Sequence, residues 1–285
     1  MVLGDRDEAF AAATVAVHLN ISLAHIHGGD VSGPGVDEAL RHAITKMAHL
    51  HFPGTAKSAR RIRAMGEEPW RIIEAGSVAL DILKYTPLVP RAALAKQLKL
   101  DPARGWLTVL QHPTAFDRAP LSSQISATLS ALKKFPGHEK ILLYPNTDTG
   151  SALFVRALKS LRGLRFHLYP SLPRTVYMSV LKESEALVGN SSSGIIEIST
   201  LGTPAVDIGN RQAGRERAKS VISAPYAAGK IVEAIIRAQA FKRRHKGRAL
   251  PSPYGGGGAG KRIAAQLARL LGRPKLLTKL PPHLE

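Results

Sequence analysis

Residues 186–215 read ALVGNSSSGIIEISTLGTPAVDIGNRQAGR. An apolar run ends at Gly189, three serines and Gly194 make a turn, an apolar helical pattern follows, and a second strand-like run ends at Ile208. Strand, turn, helix and strand in so short a span form a βαβ unit, whose strands must lie parallel in one sheet. The turn brings backbone N–H groups and the hydroxyls of Ser191, Ser192 and Ser193 to the start of a helix, beside Gly194, an arrangement suited to phosphate. Glu197 lies where a carboxylate can accept hydrogen bonds from a ribose diol, and Arg211 can pair with phosphate through two N–H groups. A serine-hydrolase elbow, G-x-S-x-G, is absent, because position 193 is serine where the second glycine belongs.

Outward from this stretch the same alternation runs along nearly the whole chain. Strand-like runs are expected at 2–4, 21–25, 50–53, 71–74, 107–111, 141–144, 164–168, 186–189 and 204–208, with helical patterns at 7–18, 36–47, 122–135, 151–161 and 174–183. The class is α/β with parallel sheets. KYTPLVPRAA (84–93) has two prolines and no periodicity, which sets a boundary near residue 90; PSPYGGGGAG (251–260) is a flexible turn before an amphipathic helix. The expected division is a partial first domain at 1–90, a nucleotide-binding domain at 91–255, and a helix with a basic tail at 256–285.

With no cysteine among 285 residues, disulfides, zinc thiolates and a thiolate nucleophile are excluded, so any chemistry uses oxygen and nitrogen groups. Acidic residues near the N-terminus argue against a secretory signal, and no run reaches the 18 or so apolar residues a membrane span needs. A cytoplasmic protein with no membrane partner is expected. The formal charge of +19 admits nucleic acid, a membrane surface or an anionic small molecule. Aromatics at only 5%, with none interleaved among the basic runs, supply few stacking platforms and argue against nucleic acid. The basic runs at 57–66 and in the last third read as solvated helix faces and a basic tail.

Three further segments place polar groups at strand ends, where ligands bind in α/β sheets. VLGDR puts Asp5 and Arg6 after the first apolar run, with helix capping by Asp5 as the plain alternative. HIHGGDVSGPGVDEALRHAITK carries His25, His27 and Asp30 at a strand end, and sets Asp37, Arg41 and Thr45 on one helical face. The H-x-H-x-x-D spacing alone does not make a metal site, and none is expected. In LQHPT, His112 follows a strand and can donate to a phosphate.

Taken in order, GDR, HIHGGD, DEALRHAITK, QHPT, YPNTDTGS, GNSSSGIIE, LGTPAVDIGNRQ and SPYG resemble the hydrolysing UDP-N-acetylglucosamine 2-epimerases of sialic-acid and other nonulosonate biosynthesis, over residues 1 to about 265. Non-hydrolysing relatives carry a loop closer to H-V-E-A-G and a D-S-G-G turn. The resemblance implies two Rossmann-like domains of the glycosyltransferase-B type with a nucleotide sugar in the cleft, and no cofactor. It implies that Ser191, Ser192, Glu197, Arg211 and His112 hold uridine diphosphate, with Asn146 nearby, and that Asp5 and Asp37 are the acid/base carboxylates. The implied reaction removes the C2 proton, expels UDP from C1 and adds water to the glycal with C2 inverted. The candidate catalytic set is therefore Asp5, His27, Asp30 and Asp37. The substrate-binding set is Arg6, Arg41, His112, Asn146, Ser191, Ser192, Ser193, Gly194, Glu197 and Arg211.

Two departures stand out. Sialic-acid-type enzymes often have H-I-E-G-G where this chain has His27, so His27 or Asp30 is expected to assist Asp37. Relatives also precede GDR with a strand and a Gly-Thr-Arg loop that reaches the diphosphate, so the first domain is expected to be incomplete and the chain poorly soluble or weakly active. A homo-oligomer is admissible. The competing readings are an inactive remnant that binds nucleotide sugar or a partner subunit, a nucleic-acid-binding protein, and a glycosyltransferase. Turnover, salt-dependent DNA binding and product analysis respectively separate them.

Overall fold

The computed structural model describes residues 1–33, 36–85, 87–161, 163, 165–270, 272–273 and 276–279. They divide into two units, one built from 1–84, 214–216 and 253–285, the other from 85–213 and 217–252.

The first unit opens with β1 (Val2–Leu3), α1 (Asp7–His18), β2 (Ala24–Ile26), α2 (Val36–Met47), β3 (Leu50–Phe52), α3 (Ala56–Ala64) and, at its edge, α4 (Asp81–Tyr85). The strands are parallel in the order β1-β2-β3, with Val2 beside His25 and Ala24 beside Leu50. Because a parallel sheet buries both faces, its residues are continuously apolar or hydrogen-bonded. One face packs Ala13 and Ala16 of α1, Ile44 of α2 and Ala48 just after it.

The second unit runs α5 (Arg91–Leu98), β4 (Trp106–Leu110), α6 (Leu121–Leu132), β5 (Glu139–Leu143), α7 (Ser151–Lys159), β6 (Phe166–Tyr169), α8 (Arg174–Glu183), β7 (Ala186–Gly189), α9 (Ser193–Ile196), β8 (Ala205–Ile208), β9 (Val221–Ala224) and α10 (Ala228–His245). Its six parallel strands lie in the order β6-β5-β4-β7-β8-β9. Leu107, Val109, Leu142, Val188, Val206 and Ile208 form the buried centre with α6 and α10, and Trp106 and Ile141 face Leu94, Leu98, Val176 and Val180 of α5 and α8. The chain then returns to the first unit with α11 (Ala259–Leu270), whose Ile263 and Leu270 cover Ala24, Ile26, Leu50 and Phe52. Each leucine, isoleucine or phenylalanine among them adds about 1.5–3 kcal/mol on full burial.

Against the expected elements, α1, α2, α8 and β7 have the anticipated bounds. The strand expected at 71–74 does not form. Pro69 starts a 3-10 turn (Pro69–Arg71), and the buried Arg71 guanidinium donates to Glu68 at 2.7 Å and to the carbonyls of His49, Leu276 and Thr278, leaving only a single bridge between Ile72 and His51. The elements β9 and α10 follow the last expected strand. Leu164, the expected start of the 164–168 run, lies outside the described residues, as do Pro274, Lys275 and 280–285 of the basic tail. The described residues from Pro253 onward group with the first unit: Asp81 accepts from the N–H groups of Ala259 and Gly260 at 2.9 and 2.8 Å, and Lys279 caps the end of α2 through the carbonyls of Lys46 and Ala48. Among the described residues no helix is long and apolar enough to cross a membrane.

Candidate functional site

In the six-stranded sheet the order reverses between β4 and β7: β5 and β6 lie on one side, β8 and β9 on the other. A sheet that reverses in this way leaves a crevice beyond the carboxyl ends of the two central strands, and ligands of doubly wound folds bind there. β4 leads into His112 and β7 leads into Asn190, so the expected phosphate turn and the expected histidine meet at this switch point.

Asn190 holds the two loops together. Its Oδ1 accepts from the His112 N–H at 2.7 Å, its Nδ2 donates to the His112 carbonyl at 2.9 Å, and its own N–H donates to the Leu110 carbonyl at 3.2 Å. The Asn190 carbonyl in turn accepts from Arg211 at 3.3 Å and Gln212 at 3.0 Å. This close approach depends on Gly189, whose φ of +140° is open only to glycine and whose Cβ, if present, would sit 2.0 Å from the Leu110 carbonyl oxygen.

His112 Nδ1 accepts from the N–H of Asn146 at 3.0 Å, which leaves the proton on Nε2. Burial, with the nearby charge of Arg211, pulls the His112 pKa down to about 4. It is therefore a neutral Nε2–H donor at neutral pH, as donation to a phosphate requires. Asn146 follows β5, and its side chain bonds Asp148; Asn146 also lines a cleft of about 600 Å³ with Tyr144, Ser151, Arg156 and Lys159. Ser191 and Ser193 are buried beside the turn, where the Ser193 N–H donates to Ser191 Oγ at 3.3 Å. The helix expected here is a single turn, α9, because the chain bends after Glu197 toward Gly202. Glu197 is only 4% exposed and accepts from Arg174 of α8 at 2.6 Å, so one of its oxygens is already engaged.

In the first unit, Arg41 links two of the other expected residues, Asp5 and Asp30. Its guanidinium, 1% exposed, binds Asp5 through Nε at 2.9 Å and through Nη2, Glu38 through Nη1 at 2.6 Å, the Asp30 carbonyl at 2.8 Å and Ser32 Oγ at 3.1 Å. Arg41 thus fixes Asp5 at the end of β1 against the loop after β2. Asp5 does not cap α1; the residue at that position is the exposed Arg6, without a side-chain cap. Asp37 stands half-buried in the first turn of α2, next to Glu38.

His27 and Asp30 form a pair. Nδ1 of His27 lies 3.1 Å from Asp30 Oδ2 and Nε2 lies 2.9 Å from Ser77 Oγ. Asp30 also accepts from Ser58 at 2.7 Å and Arg215 at 3.3 Å. Burial alone would raise the Asp30 carboxyl, but the His27 hydrogen bond and charge, with Arg215 and Ser58, hold it down at about 2. His27 adopts φ +63°, a left-handed conformation uncommon outside glycine. His25 points elsewhere: it is fully buried, with Nε2 on the Gly4 carbonyl at 2.8 Å and Nδ1 on Thr45 at 3.1 Å, and burial takes its pKa down to about 4. Among the described residues no group of three histidine or acidic side chains converges to hold a metal ion.

The residues the sequence did not single out are Asn190, Gln212 and Arg174 at the switch point, and Ser77, Ser58 and Arg215 around Asp30. Asn190 stood inside the quoted motif and was legible as a strand-end amide; Arg174, Ser77 and Arg215 lie far along the chain from their partners and carried no local signal.

A family model described as UDP-N-acetylglucosamine 2-epimerase matches residues 1–268. The chain is 36% identical over 238 residues to a polysialic acid biosynthesis protein P7 of Escherichia coli, covering 82% of this chain and 60% of that protein. It is 34% identical over 223 residues to a hydrolysing UDP-N,N'-diacetylbacillosamine 2-epimerase of Legionella pneumophila, covering 78% of this chain and 59% of that one. It thus spans about three-fifths of the length of these relatives. Among solved structures it is similar to a UDP-GlcNAc 2-epimerase from Neisseria meningitidis bound to UDP-GlcNAc, with TM-score 0.77 and 19% identity over 94% of this chain and 75% of that one, which shows the shared α/β fold.

Proposed function

Because the chain belongs to the UDP-N-acetylglucosamine 2-epimerase family, we propose that it converts UDP-N-acetylglucosamine, or a related nucleotide amino sugar, to UDP and a free N-acetylmannosamine-type sugar in the cytoplasm, for nonulosonate biosynthesis. The observation that carries the reading is the switch-point constellation, in which neutral His112, Asn190, the serine turn and Arg211 gather at the carboxyl ends of β4 and β7. Those groups suit a nucleoside diphosphate: N–H and hydroxyl donors and a guanidinium stabilise the charge that develops as UDP leaves. The relatives, one a hydrolysing 2-epimerase and one a protein of polysialic acid biosynthesis, support the hydrolysing branch and the pathway.

A base removes the proton at C2, the C1–O bond breaks, and the bonding pair leaves on the β-phosphate oxygen of UDP, giving a C1=C2 glycal. Water then adds hydroxyl to C1 and a proton reaches C2 from the opposite face, so substrate plus water yields free sugar plus UDP. Two groups on opposite faces are needed. We assign them to Asp5 and Asp37, with His27 and Asp30 assisting. Arg41 is a positioning residue for Asp5, and Arg6 an outer contact for the diphosphate. Glu197 is assigned to the ribose through its remaining oxygen, with Arg174 holding the other.

Proton NMR of UDP-N-acetylglucosamine and UDP-N,N'-diacetylbacillosamine, each incubated with the protein in D2O, tests this. Free sugar with deuterium at C2, together with UDP, is the expected result. Both nucleotide sugars unchanged, with a folded protein that binds UDP, would overturn the hydrolysing reading.

A further inference from the structure

The environment of His27 is more closed than proton transfer by itself would require. Asp30 lies on one side of the ring and Ser77 on the other, and the backbone of Gly54 passes so close that a Cβ there would sit 2.7 Å from His27 Cε1. Both Asp30 carboxylate oxygens accept from within the protein, Oδ1 from Ser58 and Oδ2 from His27 and Arg215. As an ionised carboxylate it can only accept, so the proton on that side of the ring belongs to His27 Nδ1. Nε2 then carries the lone pair and faces a hydroxyl.

We propose that Ser77 is a positioning residue, the third member of an Asp30–His27–Ser77 chain that holds His27 in its Nδ1–H tautomer and gives Nε2 a partner in either protonation state. When the ring is neutral, the Ser77 O–H donates to Nε2. When Nε2 takes up a proton, the same bond reverses and Ser77 Oγ accepts, so the ring changes charge without losing its hydrogen bond or its place. Serine suits this because its hydroxyl rotates between donor and acceptor; an amide or an ammonium does not.

The same geometry argues against Ser77 as a nucleophile, although aspartate, histidine and serine in this order suggest one. Ser77 is 1% exposed, and its Oγ also accepts from the Ala79 N–H at 3.3 Å as the cap of a 3-10 turn (Val78–Leu80). Its N–H donates to the Tyr254 carbonyl at 3.0 Å, which fixes the loop that carries it. A group so enclosed orients its neighbour and does not attack a substrate. Among the described residues, the charged and titratable groups that face the pair include Asp30, Arg215 and Tyr254, with Arg41 on the Asp30 carbonyl, all of the same unit.

This inference rests on the proposed reaction for its purpose, but the test does not depend on turnover. The imidazole nitrogens of His27 are followed by long-range proton–nitrogen NMR on the whole protein, with assignment from His27→Gln. The expected spectrum has a protonated Nδ1 and an unprotonated, hydrogen-bonded Nε2. Ser77→Ala moves the Nε2 resonance toward its unbonded position and leaves Nδ1 in place, Ser77→Thr restores it, and Asp30→Asn releases the tautomer. Where the protein turns over, Ser77→Ala lowers kcat about tenfold, the loss of one buried hydrogen bond, with KM unchanged, and Ser77→Thr recovers it. An Nε2–H tautomer in the unaltered protein, or an Nε2 resonance indifferent to Ser77→Ala, overturns the proposal whether or not the sugar is processed.

Discussion

Replacing Arg41 with methionine keeps most of the length of the side chain and removes its charge and its five hydrogen bonds to Asp5, Glu38, Asp30 and Ser32. Deleting one partner of a buried ion pair costs about 3–5 kcal/mol, because the other charge is left buried and uncompensated. Here the side chains of Asp5 and Glu38 keep 18% and 21% of their surface in water, which screens them when the guanidinium is gone and reduces the cost to about 2–4 kcal/mol. With a urea slope of roughly 2 kcal/mol/M, the unfolding midpoint should fall by about 1–2 M when followed by circular dichroism. The effect should depend on pH. Burial alone would raise the Glu38 carboxyl, but the Ser32 N–H and the Arg41 guanidinium bring it below its ordinary value. A depressed carboxyl stabilises the fold above its unfolded pKa and loses that contribution as pH falls through the folded pKa. The gap between the unaltered protein and Arg41→Met should therefore be widest above about pH 5 and narrow steadily below about pH 4. A midpoint that moves by less than about 0.3 M, or a gap that does not shrink in acid, would show that the guanidinium is not holding β1 to the loop after β2.

Gly189→Ala should separate β4 from β7, because the added Cβ meets the Leu110 carbonyl at 2.0 Å and the left-handed backbone adds strain of roughly 1–3 kcal/mol; calorimetry with UDP should lose its binding heat, and an unchanged isotherm would remove the switch point as the nucleotide site. His25 and His112 should hold their neutral proton resonances down to about pH 5, since burial takes both to about 4. Because their native proton affinity is below the unfolded value, both should erode stability as pH falls from about 6.5 toward 4, and an NMR midpoint near the ordinary histidine value for either would contradict its burial.

Periodicity and chemistry were legible at different ranges. The βαβ alternation, the bounds of α1, α2 and α8, and the placing of QHPT and GNSSSG at strand ends follow from short-range pattern, since a buried parallel strand is largely apolar and is followed by a turn that exposes backbone donors. The 71–74 strand failed for a reason only partly local: besides the turn that Pro69 starts, Arg71 is drawn into carbonyls of residues 276 and 278, some two hundred positions away.

The sequence by itself determined the class of fold, the family, and which polar residue types gather at strand ends, because hydrophobic period and motif order are properties of neighbours along the chain. Tertiary structure alone decided how those residues are partnered. Arg41 became the clamp of Asp5, Glu197 met Arg174, and His27 was enclosed by Asp30 and Ser77, fifty residues apart in sequence from the latter. Hydrogen bonds act over about 3 Å, and only the folded chain brings such distant groups within that range and removes the water that would otherwise have satisfied them.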